Sequence, residues 1–264
     1  MLRAHIYILR GAFVSTTSRT SAGIAYDRAG PRGDLPVVLL HAGVADRRMW
    51  EPLWPALTTE RDVVRLDLRG FGESAGRPSG ALCPVDDVVD TLAELGIGRC
   101  HLVGASFGAG VAIEVTLSRP AQVASMFLIA PGGSLIAEAT PDLRAFIEAE
   151  GAALARDDLD SAVEANLAWW VDGPQRTADD VEERELDPPA LDRLAEIQVP
   201  TLVLVGALDL QAVHDAARRL AVGIAGARRV DWPGTAHLPS MERPEDFLAL
   251  LRDWLPPRRP PDPS

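Results

Sequence analysis

Cys100-His101-Leu102-Val103-Gly104-Ala105-Ser106-Phe107-Gly108 is the stretch from which the fold is read. A mostly apolar run enters a glycine, and Phe107 opens a helical pattern that runs to Ser118 and stops before Pro120. A buried strand therefore turns straight into a helix, with Ser106 at the corner of a Gly-x-Ser-x-Gly pattern. A turn this tight strains the serine backbone and lifts its hydroxyl clear of the sheet. Small residues two before and two after let strand and helix approach. The helix N-terminus behind the serine offers unpaired N–H groups and partial positive charge to a developing oxyanion.

Working outward, five further apolar runs read as strands: 36–41, 62–67, 125–130, 201–205 and, more weakly, 228–232. Two earlier segments, 12–16 and 21–27, add an antiparallel edge. Helical spacing recurs over 84–95, with Pro84 at the start and Gly96 at the stop, and over 211–222 and 244–254. Strand–helix alternation of this kind predicts an α/β fold: a mostly parallel, twisted sheet of eight strands with helices on both faces. The segment 134–196 breaks the rhythm. It holds no convincing strand, is acidic and helical in pattern, and carries Trp169-Trp170 and the breaker Asp172-Gly173-Pro174. A connection this long is an inserted element, expected to be a helical cap. The expected layout is a core of 1–133 and 197–255, a cap of 134–196, and a Pro-rich tail, 256–264, trailing in solvent.

Composition narrows the function. The 264 residues are 47% hydrophobic and 24% charged, which suits one globular domain with an insertion. The formal net charge of −12 repels phosphate backbones and argues against nucleic acid. All 26 basic residues are arginine, so lysine Schiff bases and the P-loop lysine are excluded. No apolar run approaches the roughly 20 residues of a membrane helix. At the N-terminus, Ile6 to Leu9 is too short an apolar run for a signal sequence, and a cytoplasmic protein is expected. Cys83 and Cys100 are too few for a disulfide scaffold, lack metal-ligand spacing, and are expected as reduced, buried thiols. Nothing in the pattern separates a monomer from a homodimer.

A serine is a weak nucleophile until a base takes its proton. Of five histidines, His5 lies in the leader, His101 inside a strand and His214 in a helix. His41 ends a strand before a glycine-containing loop, where a structural hydrogen bond suits it. His237 lies in Pro233-Gly234-Thr235-Ala236-His237-Leu238, between the last strand and the last helix, where a base can reach over the sheet edge. Asp209 follows the strand 201–205, at the edge where ligand sites gather in open α/β sheets, and is the acid placed to orient the base. No residue cluster suggests a metal or a cofactor.

The order Ser106, Asp209, His237 resembles the serine hydrolases of the α/β-hydrolase superfamily. Leu39-Leu40-His41-Ala42-Gly43-Val44 is similar to that family's strand ending in His-Gly, with Ala42 in place of the usual glycine. Asp67-Leu68-Arg69-Gly70-Phe71-Gly72-Glu73-Ser74 is similar to its D-x-R-G-x-G-x-S loop, and 234–244 to the segment around its histidine. The resemblance implies a Ser106–Asp209–His237 triad and an oxyanion hole built from the N–H groups of Phe107 and Gly43, with Val44 as the alternative to Gly43. The loop 67–74 serves structure more than chemistry. Trp169, Trp170 and His41 are candidate substrate contacts; packing of the cap onto the core explains the tryptophans equally well. The expected activity is hydrolysis of a small-molecule carboxylic ester or related acyl compound through an acyl-enzyme, without cofactor. Lactonase, thioesterase, carbon–carbon hydrolase and cofactor-free perhydrolase chemistry remain open on the same triad. A ligand-binding receptor on a hydrolase scaffold is the alternative of another class.

Overall fold

The computed structural model of the chain describes residues 17–74, 83–138, 140–156, 158, 161 and 188–257. Eight strands form one sheet: β1 (Ser18–Arg19), β2 (Ala25–Ala29), β3 (Val37–Leu40), β4 (Val63–Leu66), β5 (Cys100–Ala105), β6 (Val123–Ile129), β7 (Thr201–Gly206) and β8 (Arg228–Trp232). Their spatial order is β1-β2-β4-β3-β5-β6-β7-β8. β1 and β2 pair antiparallel, and β2 joins β4 antiparallel; every other pairing is parallel. Among the described residues seven α-helices are bounded at both ends, in chain order: α1 (Trp54–Glu60), α2 (Pro84–Glu94), α3 (Phe107–Ser118), α4 (Pro141–Leu154), α5 (Gln211–Gly223), α6 (Pro239–Glu242) and α7 (Pro244–Trp254).

The residue patterns account for these elements. β3, β5 and β7 are buried at every position, as parallel strands covered on both faces must be. β8, at the edge, reads Arg-Arg-Val-Asp-Trp and keeps no residue fully buried. In α2 the spacing of Val85, Val88 and Leu92 places one apolar stripe on the core, while Asp86 and Asp87 stand in the first turn where the helix dipole favours them. α3 is apolar all round and is buried from Gly108 to Leu117, the central helix of its layer. Trp50, Phe127 and Phe247 form a buried aromatic group, with centroids 5.2 Å apart for the two phenylalanines.

One strand expectation shifts. The edge strand foreseen over 21–27 begins at Ala25, because residues 20–23 form a turn in which Gly23 N–H donates to the Thr20 carbonyl at 2.8 Å. The strand foreseen over 12–16 lies outside the described residues, and the first described strand is Ser18–Arg19. Core packing also reaches into both ends of 134–196: Leu135, Ala190 and Leu194 belong to the same buried cluster as the sheet. Cys100 is buried, which pushes its thiol up to about 12, whereas Cys83 is only half-buried.

The register brings the C-terminal ends of the central strands to one edge. Leu40 is level with Gly104, Ala105 with Ile129, and Ile129 with Leu204. His41, Ser106, Ala130 and the residues after Gly206 therefore emerge together, at the edge where open α/β sheets bind ligands.

His101 is a core residue of β5, its Nδ1 2.8 Å from Ser125 Oγ. Burial, with Arg61 and Arg99 nearby, lowers its pKa from 6.5 to about 4. The folded state thus holds this ring neutral while the unfolded chain takes up a proton. Stability is full above about pH 6.5 and declines as pH falls toward 4, by up to about 1.4 kcal/mol per pH unit. Urea denaturation at pH 7 and pH 4.5 is expected to show this loss, reduced in His101→Gln. An equal loss in both proteins would assign it elsewhere.

Candidate active site

Ser106 sits between β5 and α3 at φ 51 and ψ −112, a region that only local constraint makes tolerable for a non-glycine residue. Its N–H donates to the Ile129 carbonyl at 2.8 Å, and its carbonyl accepts from Ala109 N–H at 2.9 Å and Gly132 N–H at 3.2 Å. The flanking glycines are there for space. A Cβ on Gly104 would stand 2.3 Å from the Gly108 carbonyl oxygen, and one on Gly108 would stand 2.5 Å from that of Leu40. Any side chain at either position would push α3 off the sheet.

His237 Nε2 lies 2.9 Å from Ser106 Oγ, and its Nδ1 lies 3.0 and 2.9 Å from the two carboxylate oxygens of Asp209. A carboxylate only accepts, so Nδ1 carries the proton and Nε2 is left to accept from the serine hydroxyl. Both the imidazole and the carboxylate are nearly buried, with side-chain exposures of 5% and 1%. Their loops are tied to each other and to the sheet. Ala207 N–H donates to the Trp232 carbonyl and Leu208 N–H to that of Thr235, each at 2.9 Å. A Cβ on Gly206 would stand 2.0 Å from the Ala236 carbonyl oxygen, so β7 ends directly under the histidine loop. Glu242, on α6, accepts from the N–H groups on either side of His237: Ala236 at 3.0 Å and Leu238 at 3.3 Å.

The loop after β3 makes a turn closed by Ala45 N–H on the Ala42 carbonyl at 3.0 Å, with Gly43 and Val44 at its two central positions. A Cβ on Gly43 would stand 3.3 Å from Phe107 Cβ, so the turn rests against the residue after the serine. A buried ionic group holds this loop. Arg47 bridges Asp67 and Asp27, Arg65 meets Asp27 at 2.9 Å and Glu51 at 2.6 Å, and Asp67 also accepts from the N–H groups of Arg47 and Glu73. Gly72 leaves the room this requires, since a Cβ there would collide with the Asp67 carboxylate at 2.3 Å. The loop 67–74 is thus a brace for its neighbour. Arg69 faces Asp87, at 2.8 and 2.5 Å.

His41 departs from the expectation of a substrate contact. It is 0% exposed, its Nδ1–H donates to the Ala42 carbonyl at 2.8 Å, and its Nε2 accepts from Leu68 N–H at 2.9 Å. Burial lowers its pKa and keeps the ring neutral. Both nitrogens are spent on main chain, so no polar atom is left for a ligand. Trp169 and Trp170 lie outside the described residues. Ser106, Asp209 and His237 are brought together, and Phe107 and Gly43 lie beside them. Gly132 and Glu242 complete the surroundings without having been singled out in the sequence. The only local signals were the pair Gly132-Gly133 after a strand and an acid shortly after a loop histidine. Among the described residues no group of three or more His, Cys, Asp or Glu side chains could hold a metal ion. Among them, too, no helix is long and apolar enough to cross a membrane.

Comparison with known proteins identifies the family. The profile of the alpha/beta hydrolase family matches residues 37–250. The chain is 25% identical over 257 residues to a pimeloyl-[acyl-carrier protein] methyl ester esterase of Aeromonas hydrophila, covering 88% of this chain and 99% of the esterase. A shorter match, 41% identical over 106 residues, is to the dihydrolipoyllysine-residue acetyltransferase component of the acetoin cleaving system of Pseudomonas putida. It takes in 39% of this chain and only 29% of that protein. Among solved structures, Est816, described as an N-acyl homoserine lactone degrading enzyme, superposes with a TM-score of 0.67 at 26% identity, covering 88% of this chain and 96% of its own.

The Gly206 contact yields a direct test of how the histidine loop is seated. Gly206→Ala is expected to cost about 1–3 kcal/mol or more through overpacking against main chain that cannot move aside. Gly98→Ala, where a Cβ meets nothing within 4 Å, is expected to stay within about 0.5 kcal/mol. Chemical denaturation of the two variants checks this; equal effects would show that the loop yields.

Proposed function

The chain belongs to the alpha/beta hydrolase family, and from that premise we propose that it is a serine hydrolase of carboxylic esters and closely related acyl compounds, lactones included. The observation that carries this reading is the unbroken line from Asp209 through His237 to Ser106, with the serine oxygen 2.9 Å from Nε2. In the proposed reaction Ser106 Oγ adds to the acyl carbon as its proton passes to His237 Nε2. The carbonyl electron pair moves onto oxygen, and the oxyanion is held by the N–H groups of Phe107 and of Gly43, or of Val44 in the alternative register. Collapse breaks the bond to the alcohol oxygen, which leaves with the proton from Nε2. Water then adds to the acyl-serine and gives its proton to Nε2, and the second collapse frees the acid as Nε2 returns that proton to Ser106 Oγ. Asp209 keeps the imidazole in the tautomer with Nδ1–H and stabilises its charged form.

The relatives support the bond class. One is named for methyl ester cleavage and another for degrading an acyl homoserine lactone. Both substrates present a carbon–oxygen acyl bond, and a lactone differs only in keeping its alcohol tethered. Thioester, carbon–carbon and peracid chemistry require other leaving groups or nucleophiles on the same three residues. Substrate choice is assigned to the insertion 134–196, Trp169 and Trp170 among its residues. The net charge of −12 disfavours polyanionic substrates.

Turnover of p-nitrophenyl acetate, p-nitrophenyl butyrate and a γ-lactone is expected from the wild-type chain. Ser106→Ala should lower kcat by at least about 10³-fold, and Asp209→Asn by about 10⁴-fold, with unchanged thermal melts. A Ser106→Ala protein keeping more than about a tenth of wild-type kcat would place the nucleophile elsewhere.

A further inference from the structure

Gly132 lies where a side chain would collide with Ser106. A Cβ built on it would stand 2.9 Å from Ser106 Oγ. Its backbone does not call for glycine: φ −138 and ψ −158 are extended values that any residue adopts. The residue type at 132 is therefore set by space, and the serine hydroxyl occupies that space.

The loop that carries Gly132 is held down from several sides. Ala130, at φ 45, turns the chain back after β6, and its N–H donates to the Leu204 carbonyl at 2.8 Å. Gly132 N–H then donates to the Ser106 carbonyl at 3.2 Å. Two residues on, Ser134 Oγ donates to Glu114 Oε1 at 2.5 Å. Glu114 is the one acid in the apolar helix α3, and is 9% exposed. Gly110 gives the loop its seat, because a Cβ there would stand 3.2 Å from the Gly132 carbonyl oxygen and 3.3 Å from Ser134 Oγ.

We propose that Gly132 is a positioning residue for Ser106: the missing side chain is the room in which Oγ keeps its bond to His237, and the Glu114–Ser134 bond clamps the loop at that distance. The proposal rests on the reading of Ser106 as nucleophile. A methyl group at 132 leaves the serine two ways out. With the clamp intact, Oγ turns off Nε2. With the clamp broken, the loop lifts and Oγ stays.

The test uses the full chain as wild type, Gly132→Ala, Ser134→Ala and the double variant. The readings are p-nitrophenyl acetate kinetics, the rate at which a fluorophosphonate modifies Ser106, and thermal melts. Gly132→Ala is expected to lose about 100-fold in kcat, the scale of a misplaced reacting atom, with KM within about threefold and phosphonylation slowed in proportion. Ser134→Ala loses less. The double variant recovers about tenfold over Gly132→Ala, a coupling that a merely structural role would not produce. Wild-type kcat in Gly132→Ala, or additive losses in the double variant, overturns the proposal. If Gly132→Ala does not fold, the double variant decides: a folded protein phosphonylated within about tenfold of the wild-type rate supports it, and failure to fold or a loss of about 100-fold or more overturns it. A wild-type chain that neither turns over esters nor is phosphonylated at Ser106 overturns the hydrolase reading itself, and the positioning proposal with it.

Discussion

The close approach of β5 and α3 at Ser106 is the constraint on which the rest of the structure depends. A serine at φ 51 and ψ −112 costs on the order of 1–3 kcal/mol and persists only when its neighbours over-determine it. Here β6 supplies an acceptor for the serine N–H, the loop beyond β6 supplies a donor for its carbonyl, and the first turn of α3 supplies another. None of these contacts forms unless helix and strand are nearly touching. That in turn requires the bare backbone of Gly104 and Gly108, the latter packed on the carbonyls that end β3. The strained residue, the strand order β3-β5-β6 and the two glycines are therefore one arrangement, and a side chain at either glycine undoes it.

A second constraint is electrostatic. Arg47 and Arg65 lie buried with Asp27 and Asp67 beneath the turn that presents Gly43 and Val44. Removing one partner from such a group strands a buried charge, at about 3–5 kcal/mol, while the intact group contributes little net stability over apolar packing. What the group supplies is location. Arg47 reaches three carboxylates, those of Asp27, Asp67 and Glu73, and its own N–H reaches the other oxygen of Asp67, so the loop after β3 is fixed to the loop after β4 by several charge-assisted hydrogen bonds at once. His41 adds a further tie between the same two loops, to Leu68, and is neutral because it is buried. In a chain whose only strong cation is arginine, the planar fork is the part suited to bridging two acids at once.

Ser106, Asp209 and His237 were legible because each follows an apolar run or precedes a helix, and those signals are local in sequence. The parallel core was legible for the same reason, since fully buried strands read as unbroken apolar runs. Gly132, Gly206 and Glu242 were not. Their importance lies in distances to residues dozens of positions away: Gly132 to Ser106, Gly206 to Ala236, Glu242 to the amides around His237. Pro131-Gly132-Gly133 reads equally well as an ordinary turn, and Glu242 as an ordinary helix acid. The hydrogen-bonding role of His41 follows from its place at a strand end, whereas its edge-on contact with the Phe71 ring at 4.9 Å joins two loops that no local pattern links.

These constraints set the fixed part of the candidate site apart from the surface that faces it. The serine, the histidine loop and the turn at Gly43 are fixed by main-chain contacts and buried charge, so substitutions elsewhere leave their geometry standing. The surface facing them is different in kind. Phe107 lies between Gly43 and Gly133, and its ring is tilted against Phe71 at 6.1 Å, so the half-buried wall beside the serine is apolar and free of backbone strain. A wall of that kind tolerates exchange of one hydrophobic residue for another at small cost. The chain resembles both a methyl ester esterase and an enzyme described as degrading an N-acyl homoserine lactone, and a shared fold does not fix a substrate.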